Sequence, residues 1–177
     1  MNNKCTIYTD GSCFANGQPN ALASWGFVCV ETGHKEAGLV PGPQTNNRGE
    51  LMGIIRALEY AQKLKPSKLT IYTDSQYCLL TIPGWNQETM QPVKKLSKKP
   101  KNPDLVFYAR ELANGFPLLE WRWIRGHTGN HYNEIADRLS IFVRKNPNQY
   151  EKPLLYANKK EEIKEDVRMD LYHYLTH

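Results

Sequence analysis

Apolar and polar positions alternate in the first part of the chain with the period of a β-strand. Residues 4–10 (Lys-Cys-Thr-Ile-Tyr-Thr-Asp) are rich in β-branched and aromatic side chains and read as a strand that stops at Asp10-Gly11. A polar, glycine-containing loop follows through Asn20. A second strand spans residues 22–30, closed by the turn Glu31-Thr32-Gly33, and a third covers 34–40 and ends at Pro41-Gly42-Pro43. Three strands on such short connections predict an antiparallel meander.

From Asn46 the period changes. Leu51, Ile54, Ile55, Leu58 and Ala61 recur on one face of a helix that stops before Pro66. Residues 68–73 (Lys-Leu-Thr-Ile-Tyr-Thr) then form a fourth strand. A strand–helix–strand unit of this length requires a parallel crossover, so strand four lies parallel to a member of the meander. Short helices near 75–81 and 104–114 follow, then a strand at 118–124. A helix over 131–145 carries Ile135, Leu139 and Phe142 on one face. The predicted class is α/β: a mixed sheet of five strands, three antiparallel and then two of parallel type, flanked by helices.

Two segments fall outside this pattern. Residues 83–103 hold five lysines and four prolines, which suits an exposed basic excursion. Beyond residue 146 the chain is rich in Pro and Asn and then in charge. Ile163, Val167, Leu171 and Leu175 recur there at a spacing that suits one amphipathic helix. We therefore divide the chain into a domain over 1–145, with 83–103 as an insertion, and an extension over 146–177. A docking helix, a partner-binding segment and an unstructured end all fit that extension.

Composition narrows the classes. With 40% hydrophobic and 23% charged residues among 177, the chain can bury a core. Its net charge of +5 is modest but has the sign a polyanionic partner needs. Cys5, Cys13, Cys29 and Cys78 have no C-x-x-C spacing, so neither a disulfide framework nor a zinc site is expected. The amino end runs into an apolar segment too short for a signal peptide, and no run approaches the ~18 apolar residues of a membrane span. The expected location is the cytoplasm, with no membrane contact, no obligatory protein partner and a monomeric state.

The candidate chemistry lies in acids. Two strands finish alike, as Tyr8-Thr9-Asp10-Gly11-Ser12 and Tyr72-Thr73-Asp74-Ser75-Gln76. Each acid alone is equally a turn or cap residue, and Asp74 suits a cap for the helix after it. As neighbours in one sheet the two strand ends share a cleft. Glu50 falls in the first turn of the long helix, where an acid also complements the helix dipole. Asp137 lies between apolar positions of the last helix, an odd place for a solvated charge. Clustered carboxylates repel unless a cation joins them. Oxygen ligands without Cys or His favour magnesium or manganese over zinc. Two such ions about 3.5–4 Å apart clamp both oxygens of a phosphodiester displacement.

Five motifs, in order, carry a family resemblance: Thr9-Asp10-Gly11-Ser12-Cys13, Thr45-Asn46-Asn47-Arg48-Gly49-Glu50-Leu51, Thr73-Asp74-Ser75-Gln76-Tyr77, Trp123-Ile124-Arg125-Gly126-His127-Thr128-Gly129 and Asn133-Glu134-Ile135-Ala136-Asp137. Over about residues 4–145 the chain resembles bacterial type 1 ribonuclease H. The resemblance implies an RNase H-like fold and an endoribonuclease that hydrolyses the RNA strand of RNA–DNA hybrids, leaving 5′-phosphate and 3′-hydroxyl ends. It implies that Asp10, Glu50, Asp74 and Asp137 ligate two Mg2+ ions, with Mn2+ a substitute, and that His127 assists proton transfer or product release. It matches Asn16, Asn46, Asn47 and Gln76 to amides facing the RNA strand in the minor groove, and Thr45 and Asn102 to a pocket for a DNA phosphate. Tyr77 and Trp85 match a channel under the deoxyriboses, and Lys94, Lys95, Lys98, Lys99 and Lys101 match a basic handle.

This chain departs from the family in three places. Its loop over residues 14–22 is longer and lacks the usual run of glycines, the handle carries Pro83, Pro92 and Pro100, and Val106 stands where an aromatic is expected. The competing readings are a catalytically silent hybrid-binding module and a related nuclease of the same fold, such as a junction resolvase.

Overall fold

A computed structural model describes residues 3–149 and 154–156 of the chain. The meander forms as expected, from β1 (Lys4–Phe14), β2 (Leu22–Cys29) and β3 (Lys35–Leu39). β1 does not stop at Asp10-Gly11. Its antiparallel partner continues, with Asp10 opposite Gly26 and Phe14 opposite Leu22, so the ladder holds the backbone extended through the glycine.

α1 (Asn46–Leu64) is capped by Thr45, whose Oγ1 accepts from the Arg48 N–H at 3.2 Å. Lys65 ends it in the left-handed region, at φ 48°, just before Pro66. The crossover then delivers β4 (Lys68–Thr73) parallel to β1, pairing Lys4–Tyr8 with Lys68–Tyr72. α2 (Gln76–Thr81), a two-rung hairpin of β5 (Trp85–Asn86) and β6 (Gln91–Pro92), and α3 (Pro103–Asn114) precede β7 (Leu119–Trp123), which lies parallel to β4. α4 (His131–Lys145) completes the part the sequence outlined.

The five expected strands stand in the order β7-β4-β1-β2-β3. A sixth, β8 (Leu154–Tyr156), adds the extension to the β3 edge, with Leu154 opposite Ala37. The amphipathic helix expected around Ile163, Val167, Leu171 and Leu175 lies outside the described residues.

Two glycines show how the layers stack. A Cβ on Gly26 would lie 2.7 Å from the Ala136 carbonyl of α4, and one on Gly11 would strike the α1 backbone at Gly49 and Glu50. Gly26 shares a face with its register partner Asp10, and Gly11 has the opposite face. α1 and α4 therefore cover opposite sides of the sheet. The α1 side buries Ile7, Trp25, Leu51, Ile54, Leu58 and Ile71, and the α4 side buries Val28, Leu139 and Val143.

Candidate active site

The site begins where β1 and β4 part. Their pairing ends at Tyr8 and Tyr72, whose rings stack 4.4 Å apart, and Asp10 and Asp74 each follow two residues later. The chain runs outward from β1 to β2 and β3 on one side, and the crossover from β3 through α1 returns to place β4 on the other. Such a switch point leaves a crevice at the carboxyl ends of the strands. Glu50 enters it from α1, because Gly11 lets the helix backbone approach β1 more closely than any side chain would allow.

Carboxylate oxygens of Asp10, Glu50 and Asp74 lie within 4.8 Å of one another. Asp137 borders this trio from α4, and its charge is felt by both Asp10 and Asp74. Burial, reinforced by the charges of Asp74 and Asp137, pushes the Asp10 carboxyl well above the usual range. Glu50 is driven up first by its burial and then by Asp10 and Asp74. Asp74 is raised by burial, with His127 opposing the rise.

Two bland explanations fail here. Ser75, not Asp74, caps α2, accepting from the Cys78 N–H at 3.1 Å. Glu50 lies past the first turn of α1, which carries no acid, so the helix dipole does not account for it. The nearby cation does not neutralise the trio either. Arg48 turns away and forks onto Asp104 with two bonds of 2.9 Å. Among the described residues no Lys or Arg makes an ion pair with Asp10, Glu50 or Asp74. Glu50 Oε2 is buried with no hydrogen-bond partner. An all-oxygen donor set with an orphaned lone pair fits a hard divalent cation.

Contacts that the sequence did not announce hold Asp74 in place. The Trp123 indole N–H donates to the Asp74 carbonyl at 3.2 Å. A Cβ on Gly126 would come within 2.5 Å of Asp74 Oδ2, so the loop after β7 rests directly on the acid. That loop carries His127, 80% exposed at its side chain, in the left-handed region at φ 57°, with Nδ1 3.9 Å from Asp137 Oδ2. Asn133, one turn before Asp137 on α4, is buried with its Nδ2 unpartnered.

The other expected residues fall into groups. Asn46 and Asn47 are exposed on the first turn of α1, and Asn16 Oδ1 accepts from the Asn46 N–H at 3.1 Å. Gln76 is exposed at the start of α2. The Arg48–Asp104 fork joins the amino ends of α1 and α3, so Thr45 and Asn102 flank one bridge. Asn102 Nδ2 donates to the Tyr77 hydroxyl at 3.1 Å, which itself donates to the Lys101 carbonyl at 2.8 Å. Trp85 is half-buried and bonds within its own hairpin, to Gln87. Lys94, Lys95, Lys98 and Lys99 are exposed between β6 and α3, with no ion pair among the described residues.

No helix of the described residues is long and apolar enough to cross a membrane. Residues 2–143 match the RNase H family. A ribonuclease H of Chromobacterium violaceum is 41% identical over 138 residues, covering 76% of this chain and 90% of that one. A ribonuclease H of Cupriavidus metallidurans is 42% identical over 138 residues, covering 76% and 91%. The solved N-terminal RNase H domain of a Mycobacterium tuberculosis protein, fused to maltose-binding protein, aligns with a TM-score of 0.64 at 24% identity, covering 83% of this chain and 97% of that one. That last likeness bears on the fold alone. With acids, loop and sheet order arranged in this way and the match running through nearly all of the described chain, this protein belongs to the RNase H family.

Proposed function

We propose that the chain is an endoribonuclease that hydrolyses the RNA strand of RNA–DNA hybrids at a divalent-metal site, with magnesium as the working ion. The observation that carries the reading is the trio Asp10, Glu50 and Asp74, two of them buried and the third half-buried, with no protein cation among the described residues to balance it. Asp137 completes the ligand set from α4. When bound, the metal pair supplies charge neutralisation at the phosphate and an activated water. The protein's own groups do the rest. Gly11 and Trp123 fix two of the acids, and His127 next to Asp137 takes and releases protons at the edge of the site.

Selectivity for a hybrid needs 2′-hydroxyls read on one strand and their absence on the other. The amides of Asn16, Asn46, Asn47 and Gln76 suit the first task, since each can donate and accept. The joined amino ends of α1 and α3 suit a DNA phosphate between Thr45 and Asn102. Tyr77 and Trp85 offer planes for deoxyriboses. We assign residues 1–145 to the catalytic domain. The thiols are free, and we place the chain, as a monomer, in a reducing cytoplasm.

The test offers the protein a labelled RNA–DNA hybrid, RNA duplex, DNA duplex and four-way junction, each with magnesium and with chelator. The expected result is metal-dependent cutting of the RNA strand of the hybrid, leaving 5′-phosphate and 3′-hydroxyl ends. Junction cutting, or hybrid binding without cutting, overturns the reading.

A further inference from the structure

Arg144 has no place in the family's expected contacts, yet two independent periodicities put it on the side of the acids. On α4 it lies seven residues, or two turns, beyond Asp137 and so shares that helix face. On β1 its partner Ser12 lies two residues beyond Asp10, and alternation gives both the same face of the sheet. The Arg144 Nε donates to Ser12 Oγ at 2.7 Å. Between these anchors the Ser24 hydroxyl donates to the Ser140 carbonyl of α4, and Ser24 is the register partner of Ser12. The stripe Asp137, Ser140, Arg144 is thus laid down along the β1–β2 ladder.

Among the described residues only Nε of the guanidinium is engaged. Among the described residues no carboxylate pairs with Arg144, and its terminal nitrogens make no hydrogen bond, although the side chain is half-buried. A cation at the last turn of a helix complements the dipole, and that alone would explain a solvated Lys. It does not explain a guanidinium tethered by Nε, because the tether leaves the two terminal NH2 groups free to bind an oxyanion. Further along β1, Phe14 is 54% exposed and Asn16 reaches the start of α1. A polynucleotide strand that meets the acids at Asp10 and the amide at Asn16 passes beside Ser12.

We propose that Arg144, oriented by Ser12, binds a backbone phosphate of the hybrid close to the cut. The proposal rests on the reading of the chain as a hybrid-cutting enzyme and deepens it. Each phosphate contact adds about 0.9 to the slope of log affinity against log salt on a duplex.

The experiment measures binding of a fluorescent RNA–DNA hybrid by anisotropy in chelator across a salt series, for wild type, Arg144→Gln and Arg144→Lys. Arg144→Gln is expected to lower the slope by about one and weaken binding about three- to tenfold at ~0.1 M salt. Arg144→Lys keeps the slope. An unchanged slope in Arg144→Gln overturns the proposal, and equal weakening of both variants with the slope intact reassigns Arg144 to holding α4 on β1. Cutting of the same hybrid by wild type in magnesium is run alongside. Failure there rejects the enzymatic reading, whereas normal cutting with an unchanged Arg144→Gln slope rejects only this contact.

Discussion

A carboxylate oxygen buried without a partner costs on the order of 1–3 kcal/mol, and Glu50 Oε2 sits in that condition beside two more acids. The metal-free protein therefore carries a penalty that depends on pH. Asp10, Glu50 and Asp74 have folded-state pKa values raised above their unfolded ones, near 4. Below about pH 4 both states are protonated and no penalty applies. As pH rises from there through the raised values, the unfolded chain releases protons first and stability falls. Asp10→Asn removes one of these charges. In chelator at pH 7 its melting temperature should exceed that of wild type by on the order of 2–6 °C, and the gap should close towards pH 4. Melts at several pH values check this, and a variant less stable than wild type at neutral pH contradicts it. The identity of these acids was legible in the chain, because each follows or interrupts an apolar pattern. Their duller roles were excluded only by the fold: Ser75 took the cap, and Glu50 proved to lie beyond the first turn.

At the level of elements, the crossover from the meander to β4 followed from connection lengths alone. The end of β1 did not, because its extension through Gly11 depends on β2, whose pairing a local pattern does not reveal. The Arg48–Asp104 fork was equally hidden, joining residues far apart in the chain to hold α1 against α3. It is lopsided: Arg48 is 4% exposed, while the Asp104 side chain is 60% exposed. Asp104→Ala strands a buried cation and should cost about 2 kcal/mol, whereas Arg48→Met leaves a solvated carboxylate and should cost about half of that or less. Denaturant titration of both variants decides it, and a larger loss in Arg48→Met would refute the asymmetry. The lysines between β6 and α3 belong to the same scale. Replacing Lys94, Lys95, Lys98 and Lys99 with Gln should weaken hybrid binding and flatten its salt dependence, while stabilisation by magnesium is retained. Hybrid affinity and salt slope equal to wild type would sink the handle.

Across the whole molecule, one sheet serves two layers, and the acids gather where it splits between β1 and β4. Helices on opposite faces each bring one acid to that split, Glu50 from α1 and Asp137 from α4. The sixth strand, β8, was not foreseen, since three residues in a Pro- and Asn-rich stretch carry too little pattern to mark a strand. It joins the β3 edge, three strands away from β4. The Ser12–Arg144 bond, between residues 132 apart in sequence, likewise exists only once α4 folds onto β1. On the proposed reading, the joined carboxylates form a metal site that cuts RNA paired to DNA. The most direct measurement is the single-turnover rate on a labelled hybrid as magnesium is titrated, for wild type and for Asp10→Asn. The wild-type rate should rise from background with magnesium, and the variant should stay at least about a thousandfold slower at every concentration. Cutting by wild type that persists in chelator, or by Asp10→Asn at a comparable rate, would contradict the account.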